Sequence, residues 1–205
     1  MQIPSGRKEP TARRSFAPFL HLFDPRSRIL DVACGQGFVM KMLAEAGVES
    51  LGIEGDGGMV AEARAAGLTV VQTDIFHYLQ STEERFQGCI ASHIVEHFVP
   101  EKVVELLALM HRVTLPGGKL LIITPNIAHL RRAAGDFWRD PSHVRPYPIE
   151  ALDKLLSQTG WKKIDGGYIS DKRFSLKRAA VAAIRNILIG RYWLGEDLYV
   201  VAGRP

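Results

Sequence analysis

The chain has 205 residues, enough to bury a sizeable core in one domain but too few for two domains of ordinary size. Hydrophobic residues make up 46% and charged residues 23%, proportions that exclude a disordered, collagen-like or disulfide-stapled chain. The formal net charge of +4 is mild, and Cys34 and Cys89, neither in a CxxC pair, speak against a cysteine zinc site and fit a reducing compartment.

No apolar run approaches the ~18 residues of a spanning helix and no secretory-type run opens the chain, so a cytoplasmic location is expected. Residues 1–27 combine a basic arm (Arg7, Lys8, Arg13, Arg14) with a helix carrying Phe16, Phe19, Leu20 and Phe23. Short β-rich runs then follow at 28–33, 49–54, 69–74, 89–92 and 120–124. Helical patterns at 38–46, 59–66 and 100–113 alternate with them; Pro100 suits the first turn of the last, and Pro116-Gly117-Gly118 is expected to end it. This rhythm predicts an α/β fold with a parallel sheet covered by helices on both faces. An irregular stretch reaches Pro148, then come a helix over 149–159 closed by Gly160, a strand over 161–169 and a final strand over 198–201. The last two strands are separated by about 28 residues, where a hairpin needs only about 2 to 5, so 171–197 is read as an insertion.

In open α/β sheets, ligands bind beyond the carboxyl ends of the strands, where strand order reverses. The first strand runs into Asp31-Val32-Ala33-Cys34-Gly35-Gln36-Gly37. Gly35 and Gly37 leave room for a ligand to approach the backbone, and Asp31 places a carboxylate beside it. A dinucleotide fingerprint wants a third glycine where Met40 stands, which counts against a nicotinamide cofactor. Glu54 closes the second strand, where a carboxylate can accept both hydrogen bonds of a ribose diol. Asp74 and Ile75 close the third, where they can meet the amino group and ring of an adenine. Each acid can equally cap the element that follows it.

Taken in order, ILDVACGQG, GIEGDGGM, TDIF, IASHIVEHF and LPGGKLLIITPN resemble the motif series of the class I S-adenosylmethionine-dependent methyltransferases, over roughly residues 28–160. The resemblance implies a doubly wound, mostly parallel seven-stranded sheet, Rossmann-like, with an antiparallel last strand, and S-adenosyl-L-methionine as cofactor. It implies that Asp31, Gly35 and Gly37 surround the methionine part, that Glu54 holds the ribose, that Asp74 and Ile75 hold the adenine, and that Ser92 and His93 lie near the sulfonium. A single domain over 1–205 would then comprise a cofactor-binding core at 28–125 and an acceptor side at 126–160, with the phenylalanine helix of 1–27 as a gate over the cofactor.

His93-Ile94-Val95-Glu96-His97 puts three ligand-type side chains on one face if a helix starts there. It also spells the inverted zinc-peptidase signature H-x-x-E-H, but it follows a strand directly and soon meets Pro100, which argues against the long helix a peptidase needs. The segment is similar to E-x-x-E-H in ubiquinone-pathway O-methyltransferases and in the enzymes that methylate the 3′-terminal 2′-hydroxyl of small RNAs. That similarity implies a divalent metal held by His93, Glu96, His97 and His143, with His93 in place of the family's glutamate. Without a metal, the Glu96-His97 pair would cap a helix and line the acceptor pocket. A hydroxyl acceptor must lose a proton, for which His97 and then His143 are the candidate catalytic bases. The amino-group motif N/D-P-P-Y/F does not follow the fourth strand, so O-methylation is expected.

Residues 126–148 mix Arg131, Arg132, Arg139 and Arg145 with Phe137, Trp138 and Tyr147, a composition suited to phosphate, sugar or nucleobase. DPSHVRPYP resembles the D-x-x-H-x-R-x-[FY] segment of a methyltransferase subgroup met among glycan, lipid and secondary-metabolite enzymes. It implies a small-molecule, glycan or lipid-linked acceptor. Within the insertion, 175–193 can form a basic amphipathic helix that lies on an anionic membrane surface, covers the site, meets a second subunit or packs on the protein's own body. Two other functions stay open: an RNA 2′-O-methyltransferase with a divalent metal, nucleic acid being the weaker partner expectation, and a cofactor-binding regulator without turnover. No oligomeric state follows from the sequence.

Overall fold

The computed structural model describes residues 9–169 and 195–205; Arg7, Lys8 and the amphipathic stretch 175–193 lie outside the described residues. Seven strands form one sheet: β1 (Arg28–Val32), β2 (Glu49–Glu54), β3 (Val70–Gln72), β4 (Phe86–Ser92), β5 (Thr114–Pro125), β6 (Lys162–Ile169) and β7 (Asp197–Gly203). Their order is β3-β2-β1-β4-β5-β7-β6, parallel except for β7, which runs antiparallel to both its neighbours. The helices are α1 (Glu9–Phe16), α2 (Phe38–Glu45), α3 (Gly57–Ala65), α4 (Ile75–Ser81), α5 (Pro100–Val113) and α6 (Ile149–Gln158). Among the described residues, no helix is long and apolar enough to cross a membrane.

The central strands read as continuous apolar runs because both faces of the sheet are covered. Ile29, Ile90, Leu121, Ile123 and Val201 pack with Phe16, Phe19 and Phe23 and with Val39, Met42 and Leu43 of α2. The alternating residues Leu30, Val32, Ala91, Leu120, Ile122 and Val200 face the other way, toward Leu106, Leu107 and Met110 of α5 and Leu152 and Leu156 of α6. Side chains of period two thus feed two cores.

Phe16, Phe19 and Phe23 pack as core residues on one face of the sheet, where burying each ring is worth roughly 1.5 to 3 kcal/mol. Two expectations change. The run 69–74 is a strand only to Gln72, because Asp74 Oδ1 accepts from His77 N and so caps α4, a helix absent from the sequence reading. Pro116-Gly117-Gly118 does not follow α5 as a loop; β5 starts at Thr114, directly after the helix, and runs through it. The register jumps there, from Phe86↔Thr114 to Gly88↔Lys119, and Gly117 takes φ 77°. A Cβ on Gly118 would meet the Gln87 and Leu115 carbonyl oxygens at 2.8 Å and Thr114 Cγ2 at 2.5 Å. Gly118→Ala is therefore expected to cost about 1 to 3 kcal/mol through overpacking against backbone, read as a lower midpoint in thermal or urea unfolding.

Candidate active site

Strand order reverses between β1 and β4, which pair through Val32↔Ala91, so the crevice at their carboxyl ends is the expected ligand position. Among the described residues, the non-glycine residues with positive φ are Ala33 and His93, both at 57°, one just beyond each of these two strands. Such backbone costs about 1 to 3 kcal/mol per residue and collects at functional sites.

The two glycines of the first loop have different tasks. A Cβ at Gly35 would find only Met59 Sδ, at 3.7 Å, so this position is open to a ligand. At Gly37, with φ 76°, a Cβ would stand 2.3 Å from Leu68 Cδ1, so that glycine serves close packing and the entry to α2. Asp31 is buried, and its Oδ2 has no hydrogen-bond partner among the described residues. Burial first, then the charge of Glu54, pushes its carboxyl up to about 8. Burial, with the charges of Asp31 and Glu54, also raises the Cys34 thiol far above its ordinary value, so Cys34 is no nucleophile.

Glu54 accepts three backbone N–H bonds, from Gly35 (2.9 Å), Gly55 (2.8 Å) and Asp56 (2.9 Å). A carboxylate offers about four lone-pair sites, so one is open, and a ribose diol would have to share or displace one existing bond. Asp74 is exposed and caps α4 as described, while Ile75 is buried in the core beside β2 and α5, leaving little of it for a ring to pack on. Ser92 ends β4 half-buried.

The predicted shared helical face of His93, Glu96 and His97 does not form. His93 occupies the left-handed turn, donates its backbone N–H to Ile123 O and precedes a short 3-10 turn, Val95–His97. Its ring nevertheless returns to Glu96: Nδ1 lies 3.2 Å from Glu96 Oε1, and Nε2 lies 3.5 Å from Asp197 Oδ2. Glu96 is fully buried and also accepts from Thr124 Oγ1 at 2.9 Å. Burial pushes its carboxyl up, but the hydrogen bond and charge of His93, a backbone N–H and the charge of His97 outweigh it and leave the group below its ordinary value.

The loop after β5 folds back over this turn. Val144 and Arg145 donate backbone N–H bonds to Glu96 O, and the buried Tyr147 donates its hydroxyl to Phe98 O at 2.8 Å. These bonds bring His143 beside His97, with ring centroids 4.9 Å apart. One ring nitrogen of each and a Glu96 carboxylate oxygen lie within 4.8 Å of one another, whereas His93 is not part of that group. Asp140 supports the loop: burial raises its carboxyl, but bonds from the Ser142 hydroxyl and backbone and the charges of His143 and His97 hold it below the ordinary range. Asp197, which also accepts from Ser15 Oγ and Arg132, was missed by sequence reading, as were Thr124 and Ser142. No motif marks them.

Residues 29–118 match the model of a methyltransferase domain. A curated relative, an uncharacterized methyltransferase of Mycobacterium avium (strain 104), is 37% identical over 97 residues, which cover 44% of this chain and 36% of that protein. The matched part thus spans about a third of the relative's length. A SAM-dependent methyltransferase from Archaeoglobus fulgidus superposes with a TM-score of 0.81 at 24% identity, over 96% of this chain and 94% of its own. The fold is that of the class I methyltransferases. The same fold carries magnesium protoporphyrin IX methyltransferase of Synechocystis PCC 6803, solved with bound SAH (TM-score 0.66, 15% identity, 96% and 83% coverage). A Haemonchus contortus phosphoethanolamine N-methyltransferase shares it too (TM-score 0.68, 18% identity, 92% and 52% coverage). A methyltransferase fold therefore does not by itself decide the acceptor atom.

Proposed function

We propose that the chain is a methyltransferase that uses S-adenosyl-L-methionine and methylates a hydroxyl of a small-molecule, glycan or lipid-linked acceptor. The observation that carries the cofactor assignment is the buried, unpartnered Asp31 oxygen beside the open Gly35, at the β1/β4 switch point. An amino acid moiety with a positive charge fits that place, and Glu54 has one lone-pair site open toward a hydroxyl. When bound, the cofactor supplies an electrophilic methyl group for in-line displacement. The chain's own part is to hold the acceptor, exclude water and remove its proton; the neighbouring His97 and His143 rings support a reading in which His97 does the last of these. The acceptor side exposes Leu130, Trp138 and Val144, which favours an acceptor with an apolar portion and supports peripheral membrane contact. Arg145, over the Tyr147 ring, adds a cation for its polar end.

A second reading rests on the compact Glu96, His97 and His143 group. Two imidazoles and a carboxylate suit Zn²⁺, Fe²⁺ or Mn²⁺, which would lower the pKa of a bound hydroxyl, the RNA 2′-hydroxyl included.

The test is calorimetric titration with S-adenosylmethionine and S-adenosylhomocysteine, with metal assayed in the same sample. Micromolar binding that weakens about 10²-fold in Glu54→Ala is expected, the size of one or two lost hydrogen bonds to a charged group. Absence of binding by the wild-type protein would sink the cofactor assignment, and about one equivalent of metal would favour the second reading.

A further inference from the structure

His97 Nδ1 lies 2.9 Å from Ser142 Oγ and 3.2 Å from Ser142 O, 45 residues away in the chain. A carbonyl oxygen only accepts, so a hydrogen bond to it requires a proton on Nδ1. The Ser142 hydroxyl has one hydrogen, and its short contact to Asp140 Oδ1, 2.5 Å, claims it, because a carboxylate also only accepts. Toward His97 that hydroxyl is therefore an acceptor as well. Asp140 is itself fixed by a second bond, from Ser142 N to the same oxygen at 2.9 Å.

From this geometry we propose that Asp140 and Ser142 form a positioning relay that holds the neutral His97 ring in its Nδ1–H form and leaves Nε2 as an open lone pair. The proposal deepens the reading of His97 as the group facing the acceptor, since only an unprotonated Nε2 can take a proton or a cation there. His143 is set the same way by another route: its Nδ1 lies 2.6 Å from Phe137 O. Two neighbouring rings in this form present no Nε2–H to each other, so neither can satisfy the other. The pair stays poised for a group from outside; the Ser142 carbonyl favours the same form, and the relay adds the shorter of the two bonds that keep His97 from turning that lone pair into a donor. The chain of bonds Asp140, Ser142, His97 also lets the carboxylate polarise the imidazole through the hydroxyl.

The experiment is nitrogen NMR of the full-length protein with ¹⁵N-labelled histidine, the His97 and His143 rings being assigned by their loss in His97→Gln and His143→Gln. In wild type, His97 Nδ1 should resonate as a protonated nitrogen and Nε2 as an unprotonated one. Ser142→Ala and Asp140→Ala should each shift the tautomer ratio about fivefold to tenfold toward Nε2–H, the size of one hydrogen bond, and Ser142→Thr should restore it. An Nε2–H ring in wild type, or an unchanged ratio in both alanine variants, overturns the relay. Unfolding is monitored by the thermal midpoint of each variant and by the His111 ring signals, since His111 packs on Trp161, away from the Asp140 loop. Turnover is read separately: full activity in His97→Gln would remove His97 as base while leaving the tautomer result intact.

Discussion

His97→Ala is expected to lower methyl transfer to a hydroxyl acceptor by about 10²- to 10⁴-fold, with cofactor affinity unchanged within about twofold, the range a positioned general base contributes. The reason is placement: His97 sits in the short turn that follows β4, at the same carboxyl edge of the sheet as the loop that follows β1, and the loop carrying Ser142 and His143 holds its ring. If the two histidines act as one unit, His97→Ala/His143→Ala loses little more than His97→Ala alone, because groups that share a step are not additive. Initial rates at saturating cofactor decide the matter. Activity within about threefold of wild type in both single variants would remove proton abstraction from either ring.

Asp31 should make cofactor binding depend on pH. In the unliganded protein its carboxyl, raised to about 8 by burial and by Glu54, is neutral at pH 7. A bound cation favours the carboxylate, so the pKa falls on binding and a proton is released. Affinity for S-adenosylmethionine is thus expected to rise with pH by up to about tenfold per unit below pH 8 and to level off above it. Asp31→Asn should bind more weakly at pH 8 and lose the slope. Calorimetry at pH 6, 7 and 8, in buffers of different ionisation enthalpy, reads both the slope and the proton. A wild-type affinity that is flat across that window contradicts the placement of Asp31. Stability changes in the opposite sense: the folded protein keeps this proton from about 4 to about 8 while the unfolded chain loses it near its ordinary 3.8, so the unliganded fold weakens as pH rises through that window.

The alternation of strands and helices was legible in the sequence because each element carries its own period. The 49–54 strand and the 100–113 helix coincide with β2 and α5. The errors came where one residue type serves two purposes. Asp74 looks alike as a ligand group and as a helix cap; the bond to His77 N shows the cap, and with it the helix α4 that the sequence reading lacked. Pro116-Gly117-Gly118 looks like a helix stop, yet close approach of β4 makes it an irregular stretch of β5.

What the sequence determined by itself is therefore the class of fold and the strand ends at which chemistry can occur, since periodicity, glycine and proline act on the backbone locally. Which side chains meet there was decided only by the tertiary structure. His93 reaches Asp197 because β7 slots between β5 and β6, and His97 reaches Ser142 because backbone N–H groups of Val144 and Arg145 tie the returning loop to Glu96. Such convergence depends on sheet order and on how buried polar groups find partners across the chain, and no local pattern encodes either.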